Sequence, residues 1–184
     1  MNELVLIVGL MSYAAMAIMV RRHFAAMTWP PTARLTRVVS DVGVIAFALL
    51  MWRDRHSIPS LALALLLFAA CLALLFWATR ATRPLRLHVA FDSVPPDSIM
   101  RDGPYRYIRH PFYTSYVLFW LACAIATLHP LSLGFLVVIA AINLTAARRE
   151  EHAFAGSAFA AEYDDYRRTT GMFWPRLGAI AGRR

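Results

Sequence analysis

Long apolar blocks separated by short charged segments constrain this chain more than any other feature of its sequence. The blocks cover residues 4–20, 38–52, 57–79, 112–128 and 131–147, and Asp41 is the only Asp, Glu or Arg inside them. A helix needs about 20 apolar residues to cross a bilayer, so the third block is long enough by itself and the others need their interfacial flanks. The sequence therefore predicts an all-α polytopic membrane protein with about five transmembrane helices.

The composition excludes several other classes of protein. Of the 184 residues, 59% are hydrophobic and 16% are charged, whereas about half and about a quarter are typical of soluble domains. Disordered, collagen-like and disulfide-scaffold chains are thereby excluded. Cys71 and Cys123 lie inside apolar blocks, and we expect them to be small buried hydrophobes. All 19 basic residues are Arg, so no Lys is present to form a Schiff base.

The arginines are distributed unequally between the two sides of a five-helix arrangement. Seventeen lie in segments 21–37, 80–111 and 148–184, which share one side, and Arg53 and Arg55 lie on the other. Because cytoplasmic loops are enriched in basic residues, we expect the N-terminus outside and these segments in the cytoplasm, in an inner or cytoplasmic membrane. The net charge of +8 then reflects topology and contact with anionic membrane lipids, and we expect no nucleic-acid partner.

We expect a single membrane domain over residues 1–184. Residues 1–79 would form three N-terminal spans, and residues 80–177 would carry the chemistry. The first apolar block is followed by Arg21 and Arg22 and lacks a small-residue cleavage site, so we expect it to be retained. The last two blocks are joined only by His129 and Pro130, which predicts a tight antiparallel hairpin.

The first polar segment of interest, residues 101–113, runs directly into the fourth block with the sequence RDGPYRYIRHPFY. Gly103-Pro104 predicts a turn, and Pro111 suits the first turn of a helix. His110 would then lie just before a helix N-terminus with arginines beside it, a place that suits an anionic or carboxylate-bearing ligand. Alternatively, the arginines and tyrosines of this segment are interfacial anchors and an aromatic belt.

The second polar segment follows the fifth block and contains Glu150 and Glu151, with arginines before them and His152 after them. Adjacent residues of a helix point about 100° apart, so the two carboxylates cannot face one partner in the same way. One can pair with Arg106 or Arg109 while the other accepts hydrogen bonds from a ligand. Alternatively, the segment is a solvated interfacial charge cluster. Downstream, residues 153–168 are predicted to form one amphipathic helix.

Together, these segments resemble the integral-membrane methyltransferases that include isoprenylcysteine carboxyl methyltransferases and phospholipid N-methyltransferases. The resemblance rests on residues 103–113, a helical hairpin, Glu150-Glu151, the sequence EYDDY at 162–166 and Pro175, and it covers roughly residues 85–177. It implies that S-adenosylmethionine binds between the Arg-His-Pro-x-Tyr segment and the paired glutamates. It also implies a pocket that is closed by the C-terminal segment and opens laterally to the bilayer.

The resemblance assigns roles to individual residues. It implies cofactor contacts from Tyr105, Arg106, His110, Pro111, Tyr113, Glu150 and Glu151. We expect Glu150 and Arg109 to be catalytic, and we expect a lipophilic or lipidated acceptor to contact Arg109, Tyr166 and Arg167. No metal ion is expected. Methyl transfer needs mainly alignment of the reacting atoms and exclusion of water, and a general base only when the acceptor is a protonated amine.

Three positions depart from the pattern of the family. Arg148 stands where a hydrophobic residue is usual, and Ala160-Ala161 follows Phe159 where Phe-Gly is common. Thr169 stands where family members often carry a basic residue thought to contact the acceptor. The last departure leaves carboxyl O-methylation and amine N-methylation both open.

Two other functions remain as alternatives, a catalytically silent scaffold or lipid-binding protein and a nicotinamide-dependent membrane reductase. A scaffold needs neither the Arg-His-Pro-x-Tyr segment nor the paired glutamates, and no dinucleotide fingerprint supports a reductase. His129 and His152 are expected to be interfacial or capping residues. Asp41 follows Arg37 by four residues, which predicts an interfacial ion pair, although a charge inside an apolar block can also be functional.

Overall fold

A computed structural model describes residues 1–23, 31–82 and 99–176 of the chain. In these residues the regular structure is helical, which confirms the all-α prediction. The α-helices are α1 (Asn2–His23), α2 (Pro31–Arg53), α3 (Ile58–Thr82), α4 (Pro111–Thr127), α5 (Pro130–Ala155) and α6 (Ala160–Thr169). A short 3-10 turn, Gly103–Arg106, precedes α4.

Four of the described helices are long and apolar enough to cross a membrane. They contain the candidate spans Asn2–Arg21, Ala33–Arg53, Ile58–Thr82 and Pro130–Ala155. The fourth apolar block forms α4, which has 17 residues and is shorter than these spans. At 1.5 Å per residue it is about 25 Å long, against a hydrocarbon core of about 30 Å. The polytopic prediction is confirmed, with four helices of spanning length and one shorter apolar helix.

The predicted hairpin of α4 and α5 is present, and its ends are set by local chemistry. α4 begins at Pro111, as expected, and ends where Leu128 adopts the left-handed conformation with φ 48°. His129 caps α5, because its Nδ1 accepts the N–H of Leu131 at 3.1 Å. The expected capping role of His129 is therefore confirmed.

The prediction of a single amphipathic helix over residues 153–168 is wrong. α5 continues through both glutamates to Ala155, and α6 begins only at Ala160. Ser157 stabilises the break, since its Oγ donates to the carbonyl oxygen of Phe154 and accepts the N–H of Phe159. The chain then turns back, so that the rings of Phe154 and Tyr163 stack with centroids 4.3 Å apart.

The core lies along α3, whose small buried residues allow close approach of α4. Phe68 of α3 contacts Phe119 of α4 with ring centroids 5.6 Å apart. Cys71 and Cys123 are free and buried, as predicted. Asn2, at the start of α1, donates to the carbonyl oxygen of Asp54, which follows α2 and shortly precedes the start of α3. The N-terminus of α1 is therefore opposite to the end at which the loop before α4 packs on α3.

Asp41 forms the predicted ion pair with Arg37, at 3.7 Å. It also accepts a hydrogen bond from the Tyr13 hydroxyl, which ties α2 to α1. The carboxylate is thus balanced by a cation and a phenol in a part of the chain that is otherwise apolar.

Candidate functional site

The candidate site forms where the loop before α4, the last turns of α5 and the segment after α6 meet. Gly103 opens the loop with φ +59°, a conformation that favours glycine. A Cβ at Gly103 would also lie 2.8 Å from the Cβ of Ala81 in α3. This close approach fixes the loop against α3 and sets the position of the residues that follow it.

Arg109 is buried and binds two different elements of the protein. Its Nε donates to Glu151 Oε1 at 2.8 Å. Its Nη1 donates to the carbonyl oxygens of Thr170 at 2.5 Å and Arg167 at 3.3 Å. The guanidinium therefore joins the end of α5 to the C-terminal end of α6.

His110 lies between the two glutamates. Its Nδ1 is 3.3 Å from Glu150 Oε2, and its Nε2 is 3.1 Å from Glu151 Oε1. Burial lowers the pKa of His110, but the hydrogen bonds with both carboxylates outweigh burial and leave the pKa above its ordinary value. The adjacent carboxylates thus contact different nitrogens of one imidazole, in agreement with their angular separation on the helix.

Glu150 is the more accessible of the two carboxylates. Its side chain is 33% exposed, compared with 11% for Glu151. The Tyr113 hydroxyl donates to Glu150 Oε1 at 2.6 Å. The rings of Tyr113 and His110 stack with centroids 5.5 Å apart. The centroid of the Phe173 ring lies 6.0 Å from that of His110. A partly exposed carboxylate thus contacts two stacked rings, with a third ring beside one of them.

Residues 170–173, here called the strap, lie alongside the loop before α4. Ile108 and Gly171 form an isolated parallel bridge. The N–H groups of Arg109 and His110 donate to the carbonyl oxygens of Gly171 at 2.8 Å and Met172 at 3.2 Å. Thr114 in α4 donates to the carbonyl oxygen of Phe173 at 3.2 Å. The strap thus fixes the backbone on which Arg109 and His110 are carried.

The other predicted site residues are less closely associated with the glutamates. Pro111 is buried as the first residue of α4. Tyr166 donates from its hydroxyl to the carbonyl oxygen of Tyr105 at 2.6 Å, and the Tyr105 side chain packs against the core. Arg106 is exposed on a separate cavity. Arg167 is exposed and pairs with Asp164 at 3.2 Å.

Comparison with known families identifies the class of protein. The model of the phospholipid methyltransferase family matches residues 59–162, which is more than half of the chain. The chain belongs to the phospholipid methyltransferase family. The match includes α3, the loop before α4, the hairpin and the paired glutamates. The name of the family implies a membrane methyltransferase. Among curated proteins and among solved structures, none matches the chain.

In this methyltransferase the structure brings five of the predicted residues together: Arg109, His110, Tyr113, Glu150 and Glu151. The resemblance implied a role for the C-terminal segment, but sequence reasoning did not identify the contacts of the strap, which are mainly backbone carbonyl oxygens and the Phe173 ring. Gly171 was the available indication, because a glycine after a helix often marks a close backbone approach.

Replacing Gly171 with Ala is expected to detach the strap of the methyltransferase. A Cβ at this position would lie 1.5 Å from the carbonyl oxygen of Trp174, so the backbone must move. We expect a loss of roughly 2–3 kcal/mol in the free energy of unfolding, measured by SDS titration in mixed micelles. Gly134→Ala is the matched control, because no atom lies within 4 Å of its Cβ. Equal stability of the two variants would contradict a packed strap.

Proposed function

We propose that the protein transfers a methyl group from S-adenosylmethionine to the amine head group of a membrane lipid. The observation that carries this proposal is which charged groups at the site are exposed and which are already paired. Glu150 is a partly exposed carboxylate, whereas Arg109 is already bound by Glu151 and two carbonyl oxygens. Among the described residues around the paired glutamates, the groups left for a ligand are therefore acceptors and aromatic rings, which suit a cation.

The residues present fit the cofactor by their chemistry. The stacked rings of His110 and Tyr113, with Phe173 beside them, offer aromatic faces for a purine. The oxygens of Tyr113 and Glu150 suit ribose hydroxyls or an ammonium group. The N-terminus of α4 suits a carboxylate. When bound, S-adenosylmethionine supplies a methyl carbon activated by a positively charged sulfur.

An amine acceptor is favoured over a carboxylate acceptor because Arg109, the guanidinium beside the paired glutamates, is already bound by other groups. Arg167 is paired with Asp164, and Thr169 occupies the position that is often basic in the family. Arg109 is therefore a positioning residue in this proposal. It holds Glu151 and the strap in place. We propose this role for Arg109 instead of the contact with the acceptor that the sequence predicted.

Glu150 is the proposed proton acceptor. A lipid amine arrives mainly as an ammonium, and its nitrogen becomes a nucleophile only after it loses one proton. That proton passes to the Glu150 carboxylate, which Tyr113 and His110 orient through hydrogen bonds. The freed lone pair of the nitrogen would then be available to the methyl group that the bound cofactor would supply, and the cofactor would leave as its neutral, demethylated thioether. The distribution of arginines supports a cytoplasmic location for this site.

Calorimetric titration with S-adenosylmethionine, followed by a methyl-transfer assay, tests the proposal. We expect micromolar binding that is lost in His110→Ala and retained in His129→Ala, a histidine at the other end of the hairpin. Radiolabelled methyl groups should appear on phosphatidylethanolamine and not on a farnesylated cysteine. Absence of binding in a folded sample would favour the scaffold or the reductase. Methylation of the farnesylated cysteine would instead assign a carboxylate acceptor.

A further inference from the structure

A separate polar cavity lies between the 3-10 turn and α6. Its volume is about 240 Å3, and it is lined by Arg101, Asp102, Arg106, Tyr166, Thr169 and Thr170. One water occupies about 30 Å3 in the liquid, so the cavity has room for a small polar group. It is smaller than the roughly 300 Å3 at which pockets for whole small-molecule ligands begin. A fragment of a ligand therefore fits this cavity better than a complete cofactor.

The hydrogen-bond donors available in this cavity are the two guanidiniums. The hydroxyls of Tyr166, Thr169 and Thr170 each donate to a backbone carbonyl oxygen. Arg106 is exposed, and none of the described residues forms a hydrogen bond or an ion pair with its side chain. Within the described part of the chain, nothing competes with an anion for these donors.

Arg101 is held beside the cavity by three contacts. Its Nη2 lies 3.3 Å from Glu162 Oε1 and donates to the carbonyl oxygen of Glu162 at 3.1 Å. Its guanidinium carbon lies 5.5 Å from the centroid of the Tyr166 ring. These contacts use one nitrogen and one face of the guanidinium and restrict its orientation. A positioned guanidinium loses less conformational entropy when it binds a ligand than a freely rotating one does.

The charges of the cavity select the kind of anion. Two guanidiniums suit the oxygens of a phosphate group, which arginine binds through paired hydrogen bonds. Asp102, together with the Glu162 carboxylate that pairs with Arg101, places two negative charges beside the two guanidiniums, so a dianion is disfavoured, and the Asp102 carboxylate can accept from a neighbouring hydroxyl or ammonium. We propose that this cavity binds the phosphate of a singly charged phosphodiester head group. The inference does not depend on methyl transfer, because binding at this cavity needs neither Glu150 nor the cofactor.

Two probes distinguish a lipid source of the phosphodiester from a soluble one. Glycerophosphoglycerol is soluble, and dihexanoylphosphatidylglycerol carries the same phosphodiester on a lipid, while dihexanoylglycerol lacks the phosphate. Affinities are measured by calorimetry in detergent, without S-adenosylmethionine. We expect Arg106→Gln to weaken binding of at least one phosphodiester probe about tenfold, the effect of losing one charge-assisted hydrogen bond. The double variant Arg101→Gln, Arg106→Gln should abolish it.

Arg168→Gln is the matched control. Arg168 is exposed on α6, pairs with Asp164 at 2.8 Å and does not line the cavity. The proposal holds if Arg106→Gln weakens binding and Arg168→Gln does not, and the probe that binds more tightly identifies the source. It is overturned if neither phosphodiester binds, if dihexanoylglycerol binds equally well, or if both variants lose the same affinity. A protein that binds no S-adenosylmethionine can still pass this test, so the two proposals fail separately.

Discussion

Glu150→Gln is expected to lower the rate of methyl transfer to a lipid amine by about 10²–10⁴-fold, the usual contribution of a general base. The amide keeps the size of the side chain and can still contact Tyr113 and His110. It cannot take a proton from an ammonium, so the loss should appear in kcat. The assay uses radiolabelled S-adenosylmethionine and phosphatidylethanolamine in nanodiscs. Glu3→Gln, at the opposite end of the helices, is the control.

The same variant should change the titration of His110. Hydrogen bonds with Glu150 and Glu151 hold the pKa of His110 above its ordinary value, so removal of one carboxylate should lower it. Because the pKa of His110 is raised in the folded protein, the stabilisation of the fold by this ion cluster is fully present at pH values below the unfolded-state pKa of histidine. That stabilisation is lost as the pH rises through the higher folded-state pKa. Glu150→Gln should therefore flatten the dependence of stability on pH, and an unchanged kcat with an unchanged pH profile would contradict both roles.

The sequence predicted the features of this fold that have a local cause. Apolar blocks give the membrane helices, Pro111 begins α4 where proline is tolerated, and His129 caps α5. The break between α5 and α6 was not predicted, although Phe154 and Tyr163, nine residues apart, would point to opposite faces of one continuous helix. Their stacked rings instead pack across the break that Ser157 stabilises.

The side chains of the candidate site could be predicted from the sequence, whereas its backbone contacts could not. Side chains that recur in a motif, such as His110 and Glu150, could be found from the sequence. The pairing of Arg109 with one of the glutamates was also predicted, but its other two partners were not, because they are carbonyl oxygens that every residue possesses. A bridge that joins only Ile108 and Gly171 likewise has no periodic pattern to indicate it. These backbone contacts join residues about 60 positions apart in the chain, so they become visible only in three dimensions.

Arg109→Gln is expected to cost about 3–5 kcal/mol in the free energy of unfolding, because it removes one partner of a buried ion pair. The side chains of Arg109 and Glu151 are only 5% and 11% exposed, so water compensates Glu151 poorly. The variant also loses a cation that binds the Thr170 and Arg167 carbonyl oxygens. Arg109→Lys should rescue little, since one ammonium cannot reproduce the planar fork. The measurement is SDS titration in mixed micelles.

Arg167→Gln provides the control that separates positioning from charge. Arg167 pairs with Asp164 on the surface, and an exposed pair contributes about 1 kcal/mol or less. If Arg109 positions Glu151 and the strap, Arg109→Gln should destabilise the protein and lower kcat together, whereas Arg167→Gln should do neither. If Arg109 instead contacts the acceptor, as the sequence predicted, and that acceptor is anionic, Arg109→Gln should raise KM while the free energy of unfolding stays near that of the unsubstituted protein. That second result would also reopen the carboxylate as the methyl acceptor, because a guanidinium would then be available to hold it.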